Sequence, residues 1–139
     1  MQSLQVIDYM NRHPLVFHAS MSIEQAVDLL LTYKQTGGPV VDQQQRLVGF
    51  LSEQDCLAAM LRDTYHAEQS ASVGDCMYSG EVVSVSSSTS IIDLAQQMGN
   101  LRPKVYPVVD ASGVLIGVIT RADVLRAINY QLQDSYAAH

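Results

Sequence analysis

The heptapeptide GVITRAD (residues 117–123) places a glycine, a hydroxyl and a carboxylate at a fixed spacing, and GFLSEQD (residues 49–55) repeats it. In each, an apolar run ends at a hydroxyl, Ser52 or Thr120, and an aspartate, Asp55 or Asp123, follows three residues later. Two chemistries use such a spacing. The first is structural: S-x-x-D and T-x-x-D resemble capping boxes, in which the hydroxyl satisfies an orphan helix N–H. The acid in the first turn favours the helix dipole, and the glycine packs closely in a strand. The second is recognition: a helix N-terminus attracts anions, so a hydroxyl at its mouth can bond a phosphate. An acceptor-only aspartate one turn in suits the paired hydroxyls of a ribose. Glycine would let a ligand approach the strand, and Arg121 would add a cation for the phosphate. Together with an apolar slot for a base, these parts describe a nucleotide site.

The elements that must position these residues are themselves duplicated. Sliding residues 20–59 onto residues 88–127 gives twelve identities in 40 positions, where chance gives about two or three. PVVD at residues 39–42 falls on PVVD at residues 107–110, and Leu47 and Gly49 fall on Leu115 and Gly117. Upstream the offset changes by one: VIDYM (residues 6–10) matches VGDCM (residues 73–77) in its Val, Asp and Met. The extra residue is expected in the loop between Val83 and Ser88 or its counterpart, since loops absorb length changes.

Each repeat reads as a short helix carrying V-x-D-x-M, then a strand over residues 15–17 or 82–85. A helix follows, opened by Ser22 or Ser90 with Gln25 or Asp93 as capping partner. Its apolar face is Ile23, Ala26, Val27 and Leu30, or Ile91, Leu94, Ala95 and Met98. PVVD and the run LVGFL or LIGVI form a hairpin across QQQR or ASG. The last helix starts at Ser52 or Thr120, with Leu57, Met60 and Leu61, or Val124, Leu125 and Ile128, on its apolar face. The repeats are bounded at 1–66 and 67–139. A single repeat of about 60 residues buries too little surface to be stable alone, so the two are expected to share a core, sheet against sheet. Residues 64–72 read as the polar connector, and residues 129–139 as a fraying prolongation of the last helix.

Composition excludes several classes. Of 139 residues, 47% are hydrophobic, enough for a packed core. A net charge of −6 with only 8 Lys plus Arg argues against nucleic acid as a partner. No apolar run approaches the roughly 20 residues of a membrane helix, and no signal peptide is visible, so a soluble cytoplasmic protein is expected. Cys56 and Cys76 form no CxxC and read as reduced, buried thiols. His13, His18, His66 and His139 are scattered, and neither a nucleophile–base pair nor a metal cluster is visible, so no enzymatic activity is expected. The loop SVSSSTS (residues 84–90) lacks glycine and reads as polar chain ending in an N-cap. Tyr65, Tyr130 and Tyr136 lie near helix ends, as surface or dimer contacts.

The duplicated order of V-x-D-x-M, capped helix, PVVD and G-h-x-[S/T]-x-x-D resembles the CBS-domain family, as a tandem pair (a Bateman module), over residues 6–128. The resemblance implies an α+β fold: two β-α-β-β-α repeats with small mixed sheets, packed with pseudo-two-fold symmetry, leaving two clefts. It implies an adenosine ligand in those clefts, of the AMP, ADP or ATP class, with S-adenosylmethionine or NAD(H) as alternatives and Mg only with ATP. No catalytic cofactor is implied. Asp123 would hold the ribose hydroxyls, Thr120 and Arg121 the phosphate, and Val83, Val105, Tyr106 and Pro107 the base. In the other cleft Asp55 and Ser52 would take the same roles, with Val16, Phe17, Gly38 and Pro39 around the base. A homodimer and an effector protein on another chain are implied as partners.

The two sites are not equivalent. Arg121 of the second repeat is Glu53 in the first, and a carboxylate beside a phosphate is repulsive by about 1 kcal/mol in water and several near a protein surface. Arg102, Lys104, Arg121 and Arg126 all belong to the second repeat. The second site is therefore expected to take the phosphorylated ligand, and the first to be empty or to hold a less charged adenosyl compound. The competing function is a structural or oligomerisation module in which both aspartates only cap helices.

Overall fold

A computed structural model describes residues 4–66, 71–99 and 103–137, without the side chains of 63–66 and 136–137. Arg102 and His139, and the side chains of Tyr65, His66 and Tyr136, lie outside the described residues. The chain forms two compact units, residues 14–82 and residues 1–13 with 83–139.

The 14–82 unit runs β1 (Phe17–His18), α1 (Ile23–Tyr33), β2 (Gly37–Val41), β3 (Leu47–Ser52), α2 (Glu53–His66) and α3 (Val73–Cys76). Strand order is β1-β2-β3, with β1 parallel and β3 antiparallel to β2. The other unit begins with a 3₁₀ turn, Val6–Asp8. It continues with β4 (Val85–Ser86), α4 (Ile91–Gln97), β5 (Val105–Val109), β6 (Leu115–Thr120) and α5 (Arg121–Ala137). Its sheet has the same order and senses, and the register shifts at Val108/Val109 as it does at Val40/Val41. The fold is α+β, with a small mixed three-stranded sheet in each unit.

The local chemistry explains the elements. Ser22 and Gln25 close a full capping box on α1, and the helix stops at Lys34 in the left-handed region. Ser90 caps α4 through the N–H groups of Ile92 and Asp93. Ile23, Ala26 and Leu30 are buried, as are Ile91 and Leu94. A further capping box, Ser72 with Asp75, opens α3.

Four expectations are corrected. First, Phe17 pairs with Val40 as Val85 pairs with Val108, so the offset of 68 already holds at β1 and β4. The extra residue therefore lies between Met77 and Val85, and Val83 corresponds to Leu15 rather than Val16. Second, α2 presents Cys56 and Ala59 to the core, while Leu57 and Leu61 are half exposed and Met60 is 40% exposed. The junction with β3 fixes the helix phase, so the positions one and four after the aspartate face inward. In α5 these are Val124 and Ala127, and Leu125 is 70% exposed. Third, residues 64–66 of the expected connector continue α2. Fourth, α4 itself ends at Gln97, so Met98 is its C-cap, although its side chain still packs on the core beside Ala95.

The compact units also cut across the repeats drawn at residue 66/67. Val6 and Met10 sit in a core with Ile91, Leu94 and Ile119 of the second repeat. Val73 packs with Phe17, Ile23 and Leu51 of the first. Each V-x-D-x-M segment therefore completes the unit built mainly from the other repeat. Backbone bonds fix it there: Val6 N–H donates to Thr89 O at 2.9 Å, and Val73 N–H to Met21 O at 2.8 Å.

Both hairpin turns are held by an aspartate. Asp42 Oδ1 accepts from Gln44 and Arg46 N–H, and Asp110 Oδ1 from Ser112 and Val114 N–H. Gln45 stands at φ 64° where the other turn has Gly113 at φ 82°. A side chain in that region is strained, by about 1–2 kcal/mol. Gln45→Gly is expected to raise the unfolding free energy by about 0.5–1 kcal/mol, net of glycine's unfolded-state entropy, measured by urea denaturation.

Candidate functional site

Of the site residues of the second repeat, Thr120, Arg121, Asp123 and Val105 meet where β6 joins α5. Thr120 N–H donates to Asp123 Oδ2 at 2.9 Å, and Asp123 N–H donates to Thr120 Oγ1 at 3.1 Å. Arg126 Nη1 bonds Asp123 Oδ1 at 2.8 Å. Both carboxylate oxygens are thus engaged, one inward and one by an exposed guanidinium. The Arg126 side chain is 66% exposed, so this pair is worth at most about 1 kcal/mol. Antiparallel pairing sets Val105 opposite Thr120, Tyr106 opposite Ile119 and Pro107 opposite Val118. Arg121 N–H donates to Lys104 O at 2.9 Å, which places two basic residues side by side at the start of α5.

In the first repeat, Ser52 N–H and Oγ–H both donate to Asp55 Oδ2, at 3.0 and 2.9 Å, and Asp55 N–H donates to Ser52 Oγ at 3.1 Å. Ala58 stands in the place of Arg126, and Glu53 in that of Arg121. Glu53 N–H donates to Thr36 O at 2.9 Å, so threonine and glutamate occupy the positions of Lys104 and Arg121. The charge contrast drawn from the sequence is therefore wider in space, two cations against none.

The glycines of the motif have a different task from the ligand approach considered above. A Cβ on Gly117 would lie 2.6 Å from Asn11 O and 3.0 Å from Met10 Sδ. On Gly49 it would lie 2.6 Å from Met77 Sδ and 2.8 Å from Tyr78 O. Both glycines admit the methionine of a V-x-D-x-M segment and the residue after it. That residue bridges to the strand, Asn11 to Val118 and Tyr78 to Phe50. Two motifs that look separate in the sequence are thus the two sides of one contact.

The base-slot residues differ between the repeats. Val83 and Tyr106 line one cavity of about 430 Å³, together with Gln96, Gln97 and Gly99, and Thr120, Arg121 and Asp123 are not among its walls. This volume falls in the range of small-molecule sites, roughly 300–1,000 Å³. Tyr106 is 1% exposed, and among the described residues its buried hydroxyl has no hydrogen-bond partner. In the other unit Phe17 is fully buried, and a Cβ on Gly38 would lie 2.9 Å from its ring. Val85 and Tyr106 stand at the positions of Phe17 and Gly38, so the core aromatic comes from β1 in one unit and from β5 in the other. Gly38 and Pro39 are buried in β2, and Val16 is half-buried just before β1. Gln96 and Gln97 escaped the sequence reading; the available signal was two amides where the first repeat has Asp28 and Leu29.

Cys56 is buried and Cys76 half-buried, and both are free. Burial pushes both thiols above the ordinary value of 9.0, reinforced at Cys56 by the Asp55 charge and opposed at Cys76 by Arg62. Among the described residues no group of three or more His, Cys, Asp or Glu is placed to hold a metal ion, and no helix is long and apolar enough to cross a membrane.

This arrangement, two matching strand–helix junctions each carrying a hydroxyl and an aspartate, is that of a CBS pair. The CBS domain family model matches residues 6–62 and 73–130, and the chain belongs to that family. The chloroplastic CBS domain-containing protein CBSX2 of Arabidopsis thaliana is 32% identical over 137 residues, covering 81% of this chain and 57% of that protein. The chain thus spans a little over half the length of this relative. A crystal structure of CBSX2 in complex with AMP superposes with a TM-score of 0.80 at 34% identity, covering 94% of this chain and 99% of that one. Inosine-5'-monophosphate dehydrogenase of Helicobacter pylori is 29% identical over 117 residues, which cover 84% of this chain but 23% of the enzyme.

Proposed function

We propose that the chain is a non-enzymatic regulatory module that binds an adenosine nucleotide of the AMP, ADP or ATP class at the β6–α5 junction and signals to a partner protein on another chain. The observation that carries this is the junction itself. Asp123 offers a carboxylate at the mouth of α5, Thr120 a hydroxyl, and Arg121 and Lys104 two adjacent cations. Asp123 would take the ribose hydroxyls, exchanging Arg126 for them on Oδ1. Thr120 and Arg121 would take the phosphate, and Val83, Val105, Tyr106 and Pro107 the base. The AMP complex of CBSX2 supports the ligand class. The small share of the dehydrogenase that is matched supports a role without chemistry of its own.

The Ser52–Asp55 junction, with Thr36 and Glu53 at the positions of Lys104 and Arg121, would stay empty or take a less charged adenosyl compound, with Val16, Phe17, Gly38 and Pro39 near its base. Mg is expected only with ATP. A homodimer is part of the proposal; the apolar groove of α1 and α2, where Leu31 and Leu57 are 70% and 55% exposed, supports it. For location the cytoplasm is proposed, and the chloroplastic relative is the reading that cell fractionation would test against it.

The test is a thermal-shift and calorimetry panel of AMP, ADP, ATP, S-adenosylmethionine and NADH. At least one adenosine phosphate is expected to raise Tm, and Arg121→Glu is expected to weaken its binding about 10-fold while leaving Tm of the free protein unchanged. Silence across the panel at millimolar concentration would favour the second reading, a structural module, which the capping bonds at Ser52–Asp55 and Thr120–Asp123 support on their own.

A further inference from the structure

The two units are alike in fold and unlike in charge. Residues 14–82 hold nine Asp and Glu against three Lys and Arg, and so carry the whole formal charge of −6. Residues 1–13 and 83–139 hold five of each and are neutral. Each unit also presents exposed leucines on its helices. In the first, α1 and α2 form a groove of about 370 Å³, walled by Val27, Leu30, Leu31, Glu53 and Leu57 among others, with Leu31 and Leu57 exposed. In the second, α4 packs on α5 as α1 does on α2. Leu125 and Leu132, one heptad apart on one side of α5, are 70% and 50% exposed. Leu125 stands at the position of Leu57, and Arg121 at that of Glu53. Equivalent places thus carry the same apolar side chain and opposite charges. A single exposed leucine needs no explanation, but an apolar groove rimmed by two marks a surface to be covered.

A second copy can cover these faces in two ways. Like on like sets a unit of −6 against another of −6, and turns Glu53 toward Glu53 and Arg121 toward Arg121. Unlike on unlike sets the charged unit against the neutral one and covers the same leucines. Because the apolar surfaces are the same in both, the choice falls to charge, and like charges juxtaposed across an interface are penalised. We propose that the α1–α2 groove of one copy takes the α4–α5 face of a second copy, Leu57 of one meeting Leu125 of the other. This rests on the homodimer reading above and adds to it which face meets which. Copies related by a two-fold axis make the contact twice, with the faces exchanged.

The test is sedimentation equilibrium of the full chain with the two leucines exchanged for charges. The wild type is expected to be a dimer. Leu57→Glu alone, or Leu125→Lys alone, is expected to weaken it about 100-fold, about 10-fold at each of the two contacts. The double variant Leu57→Glu/Leu125→Lys is expected to recover to within about 10-fold of the wild type, because every glutamate then meets a lysine. Both positions are exposed, so the circular dichroism of all three variants should match that of the wild type. If the double variant associates more weakly than either single one, glutamate is meeting glutamate, and the inference fails while the homodimer stands. Single variants that dimerise as tightly as the wild type place the interface elsewhere and overturn it too. A wild type that stays monomeric at every concentration removes both the homodimer reading and this one.

Discussion

Gly117→Val is expected to lower the unfolding free energy by about 3–5 kcal/mol, enough to unfold much of the protein at 37 °C. A Cβ at this position meets backbone, Asn11 O at 2.6 Å, as well as Met10 Sδ at 3.0 Å. Overpacking against a fixed backbone costs about 1–3 kcal/mol. The displaced segment also loses two bonds, Asn11 N–H to Val118 O at 2.8 Å and Val118 N–H to Asn11 O at 3.0 Å, each worth about 1 kcal/mol. That loss is a large part of a typical stability of about 5–15 kcal/mol. Gly117→Ala should show the same effect in smaller measure. Gly49→Ala should cost less than Gly117→Ala, because its backbone contact, Tyr78 O, lies at 2.8 Å rather than 2.6 Å and its tightest contact is the flexible end of the Met77 side chain. Urea denaturation reads all three. A Gly117→Val midpoint indistinguishable from wild type would mean that the glycine is not there to seat the Met10–Asn11 segment.

Asp123→Ala is expected to weaken adenosine-phosphate binding about 10- to 100-fold, through the loss of one or two charge-assisted bonds worth about 1.5–3 kcal/mol each. It also removes the acceptor for Thr120 N–H and the partner of Arg126, so a stability loss of about 1 kcal/mol should accompany it. Asp123→Asn separates the two effects. Asparagine can still accept from Thr120 N–H, but it has lost the charge, so Tm should hold while affinity falls. An Asp123→Asn protein with wild-type affinity would reduce Asp123 to a helix cap. Asp55→Ala should leave the affinity for phosphorylated ligands nearly unchanged.

The architecture was legible because the repeat is printed twice. PVVD, the capped helices and G-h-x-[S/T]-x-x-D each give a weak signal, and their common order marks the hairpins and helix starts and carries the resemblance that implies small mixed sheets. The strand–helix junctions were equally readable, since Ser52–Asp55 and Thr120–Asp123 bond over three residues. Features set by tertiary contact were not. The inward face of α2 is chosen by where β3 ends, which overrides the more apolar stripe of Leu57, Met60 and Leu61. The motif glycines look like room for a ligand until Met10 and Met77 are placed against them. The aromatic exchange between Phe17 and Tyr106 is invisible in alignment, because the two rings stand at non-equivalent positions and meet the core from different strands. Gln96 and Gln97 carry no motif and became notable only as walls of the cavity that Val83 and Tyr106 also line.

The 14–82 unit is an unbroken stretch of chain, whereas its counterpart is assembled from residues 1–13 and 83–139. During synthesis the first has all its strands and its core once residue 82 has been made. The second must wait until Val6 and Met10 can be joined by Ile91, Leu94, Ile119 and Ala127, across a closure of nearly seventy residues. The entropy of so long a closure grows only slowly with its length, but contacts between distant parts of a chain form late. The arm made before the 14–82 unit therefore finds its place only after that unit is complete.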